Sequence, residues 1–304
     1  MAILTGMQSK LRGSAGSITF RRNGGQTIMS EKITEVRVSR TELQSRQRTK
    51  WANIVAMYKG IRPLLNYGFE NKPKNLSDYN MFIKVNTQKT PVYLTKQQVV
   101  GGACVAAPYQ ITQGSLPSIV VSGTGNNSAT DIYLGSLAIG ASTTVAEFSQ
   151  AVVQNNSDYH YGDQISYFEI VQKTNAETGI PYCQFSGYKV VLDAADTSVL
   201  WDVACRSGFY AQDAMLGHFG ATFAGAFGWV HSRKGNGKTL VSSQSLIAVN
   251  SILSDYQGDL AFNLSRSSYG QTTTAFLSPD GEAGSTSGDN GGGGNSGGGG
   301  NDSL

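Results

Sequence analysis

From about residue 90 onward the chain is a succession of short segments rich in β-branched and aromatic residues, broken by Gly, Asn and Asp. They are SIVVSG (118–123), DIYLGS (131–136), QISYFEIVQK (164–173), YCQFSGYKVVL (182–192), FAGAFGWVHSRK (223–234) and KTLVSSQSLIAV (238–249). Such segments fit a pleated, half-buried surface and little else. Only one amphipathic run interrupts them, TTVAEFSQAVVQ (143–154), which reads as a helix. Consecutive strands with few helices between them predict a mainly antiparallel β-sandwich or barrel-like body over residues 91–277.

The first 90 residues have a different texture. SITFRR and QTIMSEKI flank NGG, and Asn-Gly is a strong hairpin signal because both residues accept positive φ. Ser39 and Glu42 then form an S-x-x-E capping pattern before a helix expected over 40–61, which Pro63 ends. Leu43, Trp51, Ile54, Val55, Tyr58 and Ile61 fall on one apolar stripe, with Arg46 and Lys50 along one border and Arg48 and Lys59 along the other. An apolar seam with basic rims suits packing against protein better than entry into a DNA groove. A second short helix is expected over 77–85. The chain thus reads as α+β, with a basic hairpin-helix docking module at 1–90, the β-rich body, and a flexible Gly-rich tail at 278–304.

Charge sharpens the division. Residues 1–90 carry 16 basic against 5 acidic residues, a net +11, and the remainder carries 8 against 16, a net −8. The basic part therefore calls for an acidic partner, whether a protein face, nucleic acid, or the acidic body of the same chain. No window has the roughly 20 apolar residues of a membrane span, and the start lacks the order of a secretory signal, so an intracellularly made, soluble protein is expected.

Signals for chemistry are weak. SRKGNGKT (232–239) ends like a phosphate-binding loop, but Ser232 stands where the motif needs Gly and a strand follows, so a hairpin turn is the better reading. His160, His218 and His231 show no metal-ligand spacing, and Asp158, His160 and Asp163 read as a solvated turn. Asp193, Asp196 and Asp202 read as a capped helical turn. Cys104, Cys183 and Cys205 are widely spaced in sequence and read as buried reduced thiols. No catalytic, cofactor-binding or metal-binding residue is expected; the chain reads as a non-enzyme.

Three stretches, GSAGSITFRRNGGQTIMSEK, RTELQSRQRTKWANIVAMYKGIRPLLNYGFENK and GWVHSRKGNGKTLVSSQSLIAVN, together resemble a family of uncharacterised proteins of Bacteroidetes genomes and of phages that infect them, including crAss-like phages. The likeness spans most of residues 6–250; the Gly-rich tail departs from it. The family brings no established activity, but it implies a phage or mobile-element origin, with the virion, assembled in the host cytoplasm, as the expected place of action. The expected function is a virion structural or assembly protein, docking to copies of itself or to other virion proteins. Trp51, Ile54, Tyr58 and Leu65 would make the apolar contact, and Arg21, Arg22, Arg46, Arg48 and Lys50 would supply charge. A nucleic-acid-binding or packaging role for the same basic residues is the alternative.

Overall fold

The computed structural model describes residues 2–4, 12–23, 26–32, 42–65, 68–73, 75–124, 127–204, 206–219, 223–235, 237–249 and 252–269, without the side chains of 2–4, 23 and 42–48. Ser39, Cys205 and the Gly-rich tail lie outside that set.

Four strands open the chain: β1 (Ala2–Leu4), β2 (Gly13–Ala15), β3 (Ile18–Asn23) and β4 (Gln26–Glu31). Asn23 pairs with Gln26, which places a two-residue connection at the Gly-Gly of the expected hairpin. Flanking strands extend the hairpin to a sheet of order β1-β4-β3-β2.

Helices follow: α1 (Glu42–Ile61), α2 (Asp78–Asn86) and α3 (Lys96–Val100). The Ser77 hydroxyl accepts the Asn80 N–H and starts α2 where the sequence placed it.

The β-rich part begins with β5 (Gln110–Thr112), β6 (Val121–Thr124) and β7 (Asn127–Tyr133). The one helix expected there is α4 (Val145–Asn155), held by a reciprocal Thr144–Glu147 capping box. Then come β8 (Gln164–Thr174), β9 (Pro181–Val191), the short α5 (Leu200–Val203), β10 (Tyr210–Gln212) and β11 (Met215–His218). β12 (Gly225–Gly235), β13 (Lys238–Val241), β14 (Gln244–Ser245) and β15 (Ile247–Val249) precede a 3-10 turn at Ile252–Tyr256 and α6 (Gly258–Ser268). The fold is α+β, and the strand ladders described are antiparallel.

The centre is the sheet β13-β12-β8-β9, with β15 also paired to β12. Its two faces are read off by alternation along β8 and β12. Ile165, Tyr167, Phe227 and Trp229 point into one core with Ile132 of β7, Leu216 of β11 and Val145, Phe148 and Val152 of α4. Phe168, Ile170, Ala226 and Val230 point into a second core with Ile54, Met57 and Ile61 of α1, Phe82 of α2, and the buried segment 103–107. Burying each of these large side chains contributes roughly 1.5–3 kcal/mol. The architecture is thus a sheet-on-sheet body with a helical layer on its other side. The expected boundary at residue 90 cuts through the second core, because α1 and α2 cover a sheet face that would otherwise be left in water.

The central sheet also explains one glycine. Gly225, at φ +151, sits where β12 meets β8, and any Cβ there would overlap the Ile170 carbonyl oxygen. Only glycine has both the dihedral freedom and the missing atom.

Candidate interaction site

α1 carries most of the residues expected to dock, and the structure separates them. Its buried face centres on Asn53, Ile54, Met57 and Ile61, turned towards Thr49 relative to the expected stripe. The reason is polar. Asn53 donates from Nδ2 to the Val105 carbonyl (2.9 Å) and the Tyr109 hydroxyl (3.1 Å), and its Oδ1 accepts the Val105 N–H (2.7 Å). A buried amide with its donors and acceptor used in this way costs little and fixes the helix rotation. Ile54, 1% exposed, is therefore core and cannot contact a partner. Lys50 is half-buried, and the side chains of Arg46 and Arg48 lie outside the described residues.

Trp51, Tyr58 and Leu65 instead line two hollows. On one side, Tyr58, Leu65, Phe69, Tyr79 and Phe82 wall a cleft of about 690 Å³, with Arg62 and Lys72 also lining it. Tyr58 stands edge-on to Tyr79 at 5.2 Å and tilted against Phe82 at 5.4 Å, arrangements that suit the ring quadrupoles. Burial, and then the Asp78 carboxylate, push the Tyr58 hydroxyl above its ordinary value. Lys72 reaches Asp78 at 2.6 Å, an ion pair within the basic segment itself. On the other side, Trp51, 43% exposed, opens a groove of about 590 Å³ lined by Val55, Lys59, Cys104, Cys183 and Phe185. The groove beside Trp51 is mostly apolar, whereas the cleft at Tyr58 mixes its aromatic walls with Arg62, Lys72 and Asp78.

Arg21 and Arg22 are exposed on β3, paired with Ile28 and Thr27. As neighbours on a strand they belong to opposite faces of the N-terminal sheet.

Asp163 is the largest departure from expectation. It is 1% exposed, not a solvated turn. Its carboxylate accepts hydrogen bonds from Arg233 Nε and a terminal guanidinium nitrogen, both at 2.7 Å, from His231 Nε2 at 2.9 Å, and from the His160 N–H at 2.9 Å. Burial alone would raise this carboxyl, but these donors overcome it and hold the group well below the usual carboxylate range. Arg233 also donates to the Asp158 carbonyl and contacts His160 Nδ1 at 2.6 Å, and Tyr159 stacks on His231 at 4.4 Å. His231 is fully buried, and among the described residues its Nδ1 has no hydrogen-bond partner. The network locks the 158–163 loop onto β12. Its members are up to 75 residues apart in sequence, so no local motif marked it.

His218 is also fully buried. It shares a 2.7 Å hydrogen bond with the Tyr167 hydroxyl and stacks on Phe227 at 4.2 Å; burial lowers its pKa to about 4. The phosphate-loop-like stretch is the β12–β13 hairpin, with Gly235 opposite Lys238. The aspartates do not cap a helix as expected: Asp193 and Asp196 each close a local turn by accepting the Ala195 and Ser198 N–H at 2.9 Å, and α5 starts after Val199 without a side-chain cap. Among the described residues, no three of His, Cys, Asp and Glu converge as metal ligands would, and no helix is long and apolar enough to cross a membrane.

Comparison with known protein families, with curated proteins and with solved structures finds no match to this chain.

Proposed function

We propose that this chain is a structural protein of a phage virion, joined to neighbouring subunits through its basic N-terminal sheet. One observation carries the reading. Among the described residues, neither hydrophobic core includes a residue of β1–β4. The register puts Phe20 opposite Met29 and Ala15 opposite Ile18 on one face of that sheet; Thr27 on that face is buried and Phe20 and Met29 are half-buried, while Ile18 stays 36% exposed. A sheet with an apolar face needs a second layer to bury it. A neighbouring subunit supplies one, and the net charges of +11 and −8 on the two parts of the chain favour a head-to-tail meeting of copies.

The nucleic-acid alternative draws on Arg12, Arg21, Arg22 and Lys32, all exposed. Because Arg21 and Arg22 belong to opposite faces, their charge does not form the single basic track that phosphate binding uses.

Solution mass by light scattering tests the proposal. Removing residues 1–90 would strip α1 and α2 from the core, so the comparison is the full chain against the double variant Phe20→Asp, Met29→Asp. The full chain is expected to assemble, and the variant to remain monomeric while still folded by circular dichroism. A full chain that stays monomeric on its own and with other virion proteins, or a variant that assembles equally well, sinks the reading. DNA affinity falling steeply with salt would favour the alternative.

A further inference from the structure

Two cysteines 79 positions apart meet in the groove beside Trp51. Cys104 belongs to the buried segment 103–107, and Cys183 is half-buried on β9. The Cys104 N–H donates to the Pro181 carbonyl at 2.9 Å, which lays the segment alongside the start of β9. The Cys183 thiol donates to the Cys104 carbonyl at 3.3 Å, so its sulfur already reaches the backbone of its partner.

Gln172 of β8 fixes the arrangement from below. Its Nε2 donates to the same Cys104 carbonyl at 3.1 Å, its Oε1 accepts the Ala106 N–H at 2.7 Å, and Cys183 Sγ lies 3.6 Å from that Oε1. A disulfide needs Cα atoms roughly 4.4–6.8 Å apart, and the Cys183 thiol bonded to the Cys104 carbonyl puts the two residues in direct contact. Contact with the Cys183 side chain and then burial hold the Cys104 thiol well above its ordinary value, so Cys104 is the poorer first nucleophile. Cys183 is the more exposed of the two, and Lys59 lines the same groove.

We propose that Cys104 and Cys183 are a dithiol site that closes to a reversible disulfide by exchange with a small-molecule disulfide entering this groove. The Cys183 thiolate attacks one sulfur of the incoming disulfide, breaks its S–S bond and releases one thiolate. Cys104 then gives up its proton and attacks Cys183 Sγ, forming the Cys104–Cys183 bond and expelling the second thiolate. The two protons from the protein thiols end on the two released thiols. Two protein thiols are oxidised by two electrons and one external disulfide is reduced to two thiols. The product ties segment 103–107, which packs under α1, to β9 of the central sheet.

The test treats the folded full chain with oxidised glutathione and maps its disulfides by mass spectrometry without reduction. The expected product is an intramolecular bond joining the peptides of Cys104 and Cys183, unchanged in Cys205→Ser. Cys104→Ser should stop at the mixed disulfide, leaving glutathione on Cys183, and dithiothreitol should restore the free thiols of the native chain. Persistence of Cys104 and Cys183 as free thiols, or a bond from Cys183 to Cys205, would overturn the proposal.

Discussion

Asn53 on α1 and Val105 exchange two hydrogen bonds, Nδ2 to carbonyl at 2.9 Å and N–H to Oδ1 at 2.7 Å, across 52 positions of sequence. The side chain thereby does for segment 103–107 what a neighbouring strand would do. Asn53→Ala strands the Val105 N–H and carbonyl in a core that water does not reach. A loss of about 3 kcal/mol in the urea-unfolding free energy is expected, well beyond that of an exposed-site change such as Lys59→Ala.

Asp163 and Arg233 predict the acid limb of stability. The folded carboxyl is held below its ordinary value, so between that value and the folded one the unfolded chain binds the extra proton. Its contribution is therefore complete above about pH 4 and drains away as the pH falls below that. Arg233→Met leaves a buried carboxylate with its principal cation gone, at a cost of about 3 kcal/mol at neutral pH. The deficit should shrink in acid, as urea titrations from pH 7 to pH 3 would measure.

His218 acts in a different window. Its pKa falls to about 4 on folding through burial, so between about pH 6.5 and pH 4 the unfolded state takes up a proton that the folded state refuses. Stability is fully present above about 6.5 and declines as pH falls, by on the order of 3 kcal/mol for the full shift. His218→Phe keeps a ring against Phe227 but removes the proton. Its stability at neutral pH should drop because the buried hydrogen bond between the Tyr167 hydroxyl and the ring is lost, and its slope between pH 6.5 and 4 should be flatter than that of the native chain.

Gly225 should tolerate no side chain. Gly225→Ala combines a strained φ of +151 with an overlap onto the Ile170 carbonyl at the heart of the central sheet. A loss of about 3 kcal/mol is expected. Gly235→Ala, where a Cβ meets open space, serves as the control in the same thermal-unfolding series.

The sequence by itself determined most of the elements, because they are written locally. Alternating and continuous apolar runs marked β8, β9 and β12, the amphipathic run 143–154 marked α4, and the glycines at 235 and 237 marked the β12–β13 turn. What only the tertiary structure decided was which faces meet. The apolar stripe of α1 looked like a surface for a partner, yet the second face of the central sheet claims Ile54, Met57 and Ile61, and Asn53 sets the rotation by bonds to a distant segment. Asp158 and His160 are exposed as the sequence suggested, but Asp163 looked solvated only because its cation, Arg233, is supplied by a strand 70 positions further on. Cys104 and Cys183 looked solitary for the same reason. Periodicity and caps are short-range and legible along the chain, whereas burial, ion pairing and thiol proximity depend on which strands a sheet brings side by side.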